Sequence, residues 1–163
     1  MKKLQTLLLF ILLGACNSNE TTTYYLIRHA EKDRTDATNS DPNLNSEGLI
    51  RAHNWAKYFD TIALDAVYSS DYKRTQQTAE PTAAQQGLRM QFYDPNSMYD
   101  AIFQKVTLGK AVLVVGHSNT TPAFANLILE QEKYQSMNDK DNSSLYVVII
   151  QNGKKTSRIV NMH

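Results

Sequence analysis

The sequence has 163 residues, of which 42% are apolar and 20% charged, and it contains one cysteine. This composition is that of an ordinary globular chain and excludes collagen-like, low-complexity and disulfide-rich proteins. The formal net charge of +1 gives no basic excess, so nucleic acid is not an expected partner. The length allows one domain.

The first residues are typical of a secretory signal. Two lysines precede an apolar run that is shorter than the about 20 residues that a membrane span needs. Residues 13–16 (Leu-Gly-Ala-Cys) resemble the bacterial lipobox, in which the signal is cleaved before a cysteine that then carries lipid. We therefore expect a signal peptide over residues 1–15, a lipidated Cys16 with a polar tether over 16–22, and one domain over 23–163. The alternatives are a plain signal peptide or a buried N-terminal helix.

A lipid on Cys16 would anchor the protein to a membrane of the bacterial cell envelope. Asn17 follows it, where some bacteria use aspartate to hold a lipoprotein at the inner membrane. This difference favours the periplasmic side of the outer membrane. A membrane, reached through the N-terminal lipid, is therefore one expected partner.

Strand and helix patterns alternate along the rest of the chain. The order is β-α-β-α-β-α-β-α-β-β, which predicts the α/β class, with a three-layer α/β/α sandwich around a mostly parallel sheet. Helix starts are predicted at the N-caps Ser46, Asp71 and Thr121, and Pro81 is expected to interrupt the second helix. Strands are predicted over residues 23–28, 65–69, 89–93, 110–116, 145–150 and 156–160, and helices over 49–59, 72–79, 96–107 and 123–130.

Charged residues and histidines follow three of the predicted strands. Arg28 and His29 end the first strand, Arg74 lies in the first turn of the helix after the second, and His117 follows the buried apolar strand over 110–116. Ligands of parallel sheets bind beyond the carboxyl ends of the strands, so these four side chains are expected to meet at one edge. The planar guanidinium of arginine suits the oxygens of a phosphate.

At these residues the sequence resembles the histidine phosphatase superfamily, whose fold is phosphoglycerate mutase-like. Residues 28–31 (Arg-His-Ala-Glu) look like the Arg-His-Gly motif of that family, and residues 69–79 look like its second-arginine motif. Residues 44–48 resemble its Leu-Thr-x-x-Gly helix start, and residues 115–118 its second-histidine motif. The resemblance extends over residues 24–160, and it is closest to the short bacterial phosphohistidine phosphatases.

Ala30 stands where the family usually has glycine, a difference that short bacterial phosphohistidine phosphatases often share. Alanine fits this position only if the backbone there does not need a positive φ. We therefore expect an ordinary backbone conformation immediately after the first histidine.

The resemblance implies catalysis through a phosphohistidine intermediate. His29 would attack phosphorus as a neutral imidazole, and water would then release phosphate. Arg28, Arg74 and His117 would bind the oxygens that are not transferred. The scheme needs no metal and no cofactor.

A leaving alkoxide needs a proton, and the resemblance suggests Asp94, at the end of the third strand, as the acid. Glu31 is the second candidate for this role or for substrate binding, and Asp94 can also be read as a turn residue before proline. Ser118 and Asn119 are expected to donate to a phosphate oxygen from a helix start. The loops over 31–45 and 94–104 and the segment after Leu129 are expected to contact the substrate.

The resemblance thus implies a phosphatase acting on a phosphorylated small molecule or a phosphoprotein. A mutase is disfavoured because no insertion is present to hold a diphosphorylated activator. One alternative is a lipid-anchored module that binds phosphate esters without catalysis. Another is a serine hydrolase, since residues 116–120 approach the Gly-x-Ser-x-Gly elbow around Ser118, but the last glycine is missing and His163 is the only later histidine.

Overall fold

The computed structural model describes residues 20–162, so the predicted signal peptide, Cys16 and most of the tether lie outside the described residues. Within this range, no helix combines the length and the apolar character that crossing a membrane requires. The elements follow the predicted order: β1 (Thr21–Arg28), α1 (Ser46–Phe59), β2 (Ala66–Ser69), α2 (Lys73–Gln85), β3 (Met90–Phe92), α3 (Ala101–Thr107), β4 (Ala111–Gly116), α4 (Thr120–Leu129), β5 (Ser144–Gln151) and β6 (Lys154–Asn161).

The strands form one six-stranded sheet in the order β3-β2-β4-β1-β5-β6. The first four strands in this order are parallel, whereas β5 runs antiparallel to β1 and β6 antiparallel to β5. The mostly parallel sheet is therefore confirmed. The β5–β6 hairpin turns at Asn152 and Gly153, whose φ angles of 51° and 73° suit a two-residue turn with two left-handed positions.

Two hydrophobic cores cover opposite faces of the sheet because successive residues of a strand point to opposite sides. On one face, Leu113 of β4 packs with Trp55 of α1 and with α2. On the other face, Val114 packs with Phe103 of α3 and Phe124 of α4. The helices thus form two outer layers, and the predicted three-layer α/β/α sandwich is confirmed.

The start of α1 is docked on the segment that follows His29. Asn45, rather than the predicted Ser46, caps the helix, and its side chain accepts a hydrogen bond from the backbone N–H of Gly48 at 2.8 Å. A Cβ atom at position 48 would collide with the backbone carbonyl of Glu31. Glycine is therefore required here by a close approach of two backbones.

Helix α2 does not break at Pro81, contrary to the sequence prediction, and continues to Gln85. The proline removes one backbone donor, but Ala79 and Ala83 on either side of it are buried in the core against the sheet. Tertiary packing therefore holds the helix together across the proline.

Other boundaries also differ from the prediction, and helix α4 begins at Thr120 with Asn119, not Thr121, at its N-cap. Strand β1 begins at Thr21 because the buried hydroxyl of Thr22 accepts a hydrogen bond from the backbone N–H of Gly109 at 2.8 Å. The predicted tether is therefore two residues too long at its end. Helix α3 begins at Ala101 instead of Asn96, since the side chain of Asp100 caps it by accepting from a backbone N–H of its first turn.

Candidate active site

The carboxyl ends of β1, β2 and β4 meet at one edge of the sheet and form a cavity of about 910 Å³. Arg28 lies opposite Gly116 in the parallel pairing of β1 with β4, so the residues that follow both strands come side by side. The rings of His29 and His117 consequently lie 5.5 Å apart, centre to centre. Arg28 and Arg74 line the same cavity, so the structure brings the four motif residues together.

The imidazole of His29 is held in a single tautomer. Its Nδ1 lies 2.7 Å from the carbonyl oxygen of Ala30, which can only accept a hydrogen bond, so Nδ1 carries the proton. The lone pair of the neutral ring is then on Nε2. Burial, with the nearby charge of Arg28, lowers the pKa of His29 to about 3, so the ring is neutral at neutral pH.

The backbone around this histidine is also fixed. The N–H of Ala30 donates to the Thr78 hydroxyl at 2.9 Å, and the side chain of Asn142 donates to the carbonyl of His29 at 2.7 Å. Ala30 is fully buried and is not among the described residues with positive φ. Alanine therefore fits where the family usually has glycine, as the sequence predicted.

Arg28 is buried and anchors a distant loop. Its Nη1 donates to the backbone carbonyls of Asn138, Asp139 and Asp141 at 2.9–3.1 Å, and its Nη2 donates to the carboxylate of Asp139 at 3.0 Å. Its Nε is buried and has no partner among residues 20–162. A buried donor without a partner is costly, and an oxyanion in the cavity would satisfy it.

Arg74 is held more loosely. Its Nη1 lies 3.5 Å from the backbone carbonyl of Ser40 and from the carboxylate of Asp41, and its guanidinium carbon lies 4.5 Å from the centre of the Tyr72 ring. Its Nε, like that of Arg28, is buried and unpartnered in the described part of the chain. The cavity thus contains two guanidinium groups with free donors, the chemistry of an anion site.

His117 is fixed by residues that the sequence analysis did not single out. Its Nε2 lies 2.9 Å from the hydroxyl of Ser70, which also donates to Thr75, and its ring packs edge-on against Tyr72 at 5.0 Å. Burial, with the charges of Arg74 and Arg28, lowers the pKa of His117 to about 4. The Ser-Ser pair before the second arginine was the available signal for this contact.

Three further predicted residues line the cavity, namely Asp94, Ser118 and Asn119. The carboxylate of Asp94 also accepts a hydrogen bond from the backbone N–H of Asn96 at 2.8 Å, so it lies at the cavity and in a turn at once. Asn119 precedes α4 without a side-chain cap bond, so its amide is not used by the helix.

Glu31 does not join this group. Its two carboxylate oxygens accept hydrogen bonds from the Nε of Arg51 at 2.7 and 2.9 Å, and it lines a neighbouring cavity of about 800 Å³. Glu31 therefore lies beside the main cavity and not in it, and its role as an acid or in substrate binding stays a prediction. The ion pair with Arg51, 20 residues away on α1, has no local sequence signal.

The cavity also contains residues that the sequence did not indicate as site residues or for which it predicted another role. Asp71, predicted as a helix cap, instead accepts from the side chain of Gln76 at 2.9 Å and faces the cavity. Lys32, in the loop over 31–45 that was expected to contact the substrate, also lines the cavity. Pro95 and Asn96 of the loop over 94–104 and Asp139 of the segment after Leu129 also line the cavity, as expected for these segments. The remaining lining residues, which the sequence did not indicate, are Tyr72, Phe92, Tyr93 and Thr120.

The charges of the cavity suit an anion. Arg28, Arg74 and Lys32 supply three cationic groups, against the carboxylates of Asp71, Asp94 and Asp139 at its rim. Over residues 20–162, no three His, Cys, Asp or Glu side chains are grouped so that they could hold a metal ion.

The family model described as histidine phosphatase superfamily (branch 1) matches residues 24–95, which include Arg28, His29 and Arg74. Over these residues the chain is similar to the histidine phosphatase superfamily. No curated protein matches the chain in sequence.

Solved structures with the same fold include that of the protein histidine phosphatase SixA complexed with tungstate, with a TM-score of 0.67 and 16% identity over 85% of this chain and 96% of that chain. Phosphoglycerate mutase from Bacillus anthracis str. Sterne has a TM-score of 0.66 and 17% identity over 87% of this chain and 93% of that chain. A phosphoserine phosphatase mutant from Entamoeba histolytica, in complex with phosphoserine, has a TM-score of 0.64 and 16% identity over 83% and 94%. These likenesses show the phosphoglycerate mutase-like fold.

Proposed function

We propose that this protein is a phosphatase of the histidine phosphatase superfamily and that it hydrolyses phosphomonoesters or phosphoproteins through a phosphohistidine intermediate on His29, without a metal or cofactor. The observation that carries the proposal is the 2.7 Å hydrogen bond from Nδ1 of His29 to the Ala30 carbonyl. It leaves Nε2 as the free lone pair of a neutral, buried ring beside two arginines. A nucleophile needs this protonation state and this fixed orientation.

The first step forms the bond between Nε2 of His29 and phosphorus and breaks the bond between phosphorus and the leaving-group oxygen. The free Nε donors of Arg28 and Arg74 would hold the phosphoryl oxygens, whose charge must be stabilised in the transition state. In the second step water attacks phosphorus, the phosphorus–nitrogen bond breaks, and inorganic phosphate leaves the neutral imidazole. His117 lines the same cavity, where Ser70 holds its ring, and would also contact these oxygens.

The leaving oxygen needs a proton, which we assign to Asp94. This carboxyl lies at the cavity rim, and the segment that carries it is held by the hydrogen bond to Asn96. Asp71 lies at the same rim and is the competing acid. Tungstate in the SixA structure is an oxyanion bound by a protein of the same fold, and this supports an oxyanion in the cavity.

The proposal includes the location of the protein. The lipobox-like residues 13–16 indicate a lipid on Cys16 and attachment to the bacterial cell envelope, on the periplasmic side of the outer membrane. Labelling of expressed full-length protein with a radioactive fatty acid tests this. The label should be lost in Cys16→Ser, and label that persists in this variant would contradict the anchor.

Activity is tested on residues 17–163 with p-nitrophenyl phosphate and with a phosphohistidine-bearing protein, in the presence of EDTA. The wild type should release phosphate and His29→Ala should not, whereas His53→Ala, which changes an exposed histidine of α1, should match the wild type. Rapid quenching without acid should trap a phosphorylated protein. Its phosphoryl group should be stable in base. Loss of activity in EDTA, or activity in His29→Ala, would contradict the mechanism.

A second candidate, a module that binds phosphate esters without catalysis, is addressed by the same proteins. It predicts that folded wild type binds inorganic phosphate in calorimetry and releases none from either substrate. The buried neutral nucleophile favours catalysis over this alternative.

A further inference from the structure

One exposed carboxylate lies among the cations of the active site. Oδ1 of Asp139 is 3.0 Å from Nη2 of Arg28, and Oδ2 is 2.9 Å from Nη2 of Arg34. Asp139 lines both the active-site cavity and the neighbouring cavity, each of which also contains His29. The carboxylate therefore stands between the two cavities, beside the proposed nucleophile.

The position of Asp139 on the Arg28 guanidinium is specific. Nη1 is already used by three backbone carbonyls, so the edge left for an oxyanion is the one formed by Nε and Nη2. Two parallel N–H groups on such an edge match two oxygens of a phosphate. Nε is buried without a partner in residues 20–162, while Nη2 is held by the carboxylate. Asp139 accepts from one of the two N–H groups of Nη2, so its negative charge lies next to the edge on which a phosphate would bind.

The carboxylate can leave this position at little structural cost. Its side chain is 70% exposed, whereas that of Arg28 is 3% exposed. The loop that carries it is held independently, because the carboxylate of Asp141 accepts hydrogen bonds from the backbone N–H groups of Ser143 and Ser144 at 3.1 and 3.0 Å. A doubly charged phosphoryl group would therefore compete with an exposed, singly charged carboxylate for a buried guanidinium.

We propose that Asp139 is an internal counter-ion of Arg28 that the phosphoryl group of the substrate displaces and that returns when phosphate leaves. Asp139 lowers the affinity of the site for phosphate and so limits inhibition by the product. This inference rests on the proposed function, since it assigns the cavity to a phosphoryl group. The opposite role, in which Asp139 positions Arg28 for phosphate, is disfavoured by the three carbonyl bonds that already hold Nη1.

The test measures binding of inorganic phosphate by calorimetry to His29→Ala and to the double variant His29→Ala/Asp139→Asn. Removal of the competing charge should tighten binding by about fivefold, the scale of a partly exposed ion pair. Asp33→Asn in the same background is the matched control, because this exposed carboxylate lines the neighbouring cavity and is not paired with Arg28. Phosphate binding should change much less in this control.

In the active enzyme, Asp139→Asn should lower the inhibition constant of inorganic phosphate by the same factor. Unchanged or weaker phosphate binding in Asp139→Asn would overturn the counter-ion role, and a weaker one would assign Asp139 to positioning Arg28. An equal gain in phosphate affinity in Asp33→Asn would also overturn the counter-ion role, because the effect would then come from the net charge of the protein. Because binding is measured without chemistry, tighter binding in the double variant together with a wild type that releases no phosphate would refute the proposed function and leave the counter-ion role standing.

Discussion

The carbonyl oxygen of Ala30 lies 2.7 Å from Nδ1 of His29, the residue immediately before it in the chain. The contact is buried, and the Ala30 backbone is itself tied to Thr78. The protein therefore selects the imidazole tautomer with backbone alone, and no side-chain carboxylate is needed for this task. With Nε2 free and the ring desolvated, His29 is neutral well below pH 7.

The dependence of activity on pH follows from the two lowered histidine pKa values. Burial lowers the pKa of His29 to about 3 and that of His117 to about 4, from 6.5, so both rings of the free enzyme stay neutral as pH falls through 6.5. We expect kcat/KM for p-nitrophenyl phosphate, corrected for ionisation of the substrate, to stay level from pH 7.5 to 5.5. A loss of activity with a midpoint near pH 6.5 would show that the nucleophile titrates normally.

Stability should depend on pH for the same reason. In the unfolded chain both histidines take up protons below about pH 6.5, whereas in the folded chain they stay neutral until about pH 4 and 3. The unfolded state therefore binds more protons, and their contribution to stability, fully present above pH 6.5, is lost as pH falls from 6.5 through 4 towards 3. Urea unfolding at pH 7, 6 and 5 should give a falling free energy of unfolding.

The matched variants for this slope are His29→Gln and His53→Gln. His29→Gln should reduce the fall in the free energy of unfolding between pH 7 and 5. His53→Gln, at an exposed position, should leave the contribution of His29 to this fall intact. Equal slopes in the wild type and in His29→Gln would contradict the lowered pKa of His29.

The two arginines should differ in what they contribute to the fold. Replacement of either arginine by alanine should lower kcat/KM by about 10²–10³-fold, the usual loss when one donor to a developing oxyanion is removed. Arg28→Ala should also lower the free energy of unfolding by about 1–3 kcal/mol, because three partly buried carbonyls of the 138–141 loop lose their charged donor. Arg74→Ala should cost much less, since its contacts are 3.5 Å long.

Thermal or urea unfolding of both variants, alongside their kinetics, separates these effects. If Arg74→Ala destabilised the protein as much as Arg28→Ala, the assignment of a structural role to Arg28 alone would be wrong. Equal activity of either variant and the wild type would remove that arginine from the phosphate site.

The acid assigned to Asp94 should be detectable through the leaving group. Asp94→Asn should lower kcat by about 10²–10⁴-fold for an alkyl phosphate, whose leaving oxygen needs a proton, and by much less for p-nitrophenyl phosphate. Asp71→Asn is the control, because it removes the other carboxylate on that side of the rim. If Asp71→Asn, and not Asp94→Asn, lost activity mainly on the alkyl phosphate, the acid would be Asp71. Equal losses of Asp94→Asn on both substrates would exclude acid catalysis by Asp94.

The sequence by itself determined the order of the elements and the meeting of Arg28, His29, Arg74 and His117. Hydrophobic periodicity marks strands locally, and the carboxyl ends of parallel strands share one edge, so residues that follow those strands lie along that edge, where the adjacency of β2, β4 and β1 brings them together. The site could therefore be predicted although β4 lies between β1 and β2, an arrangement that depends on contacts far apart in the chain.

Only the tertiary structure decided how the loops complete the site. Glu31 turns to Arg51, Ser70 holds His117, and Asp139 meets Arg28 across 111 residues of chain. Loop residues carry no periodicity, and their conformations depend on which distant polar groups they satisfy. The continuation of α2 through Pro81 has the same origin, because packing against the sheet outweighs the local preference of proline to end a helix.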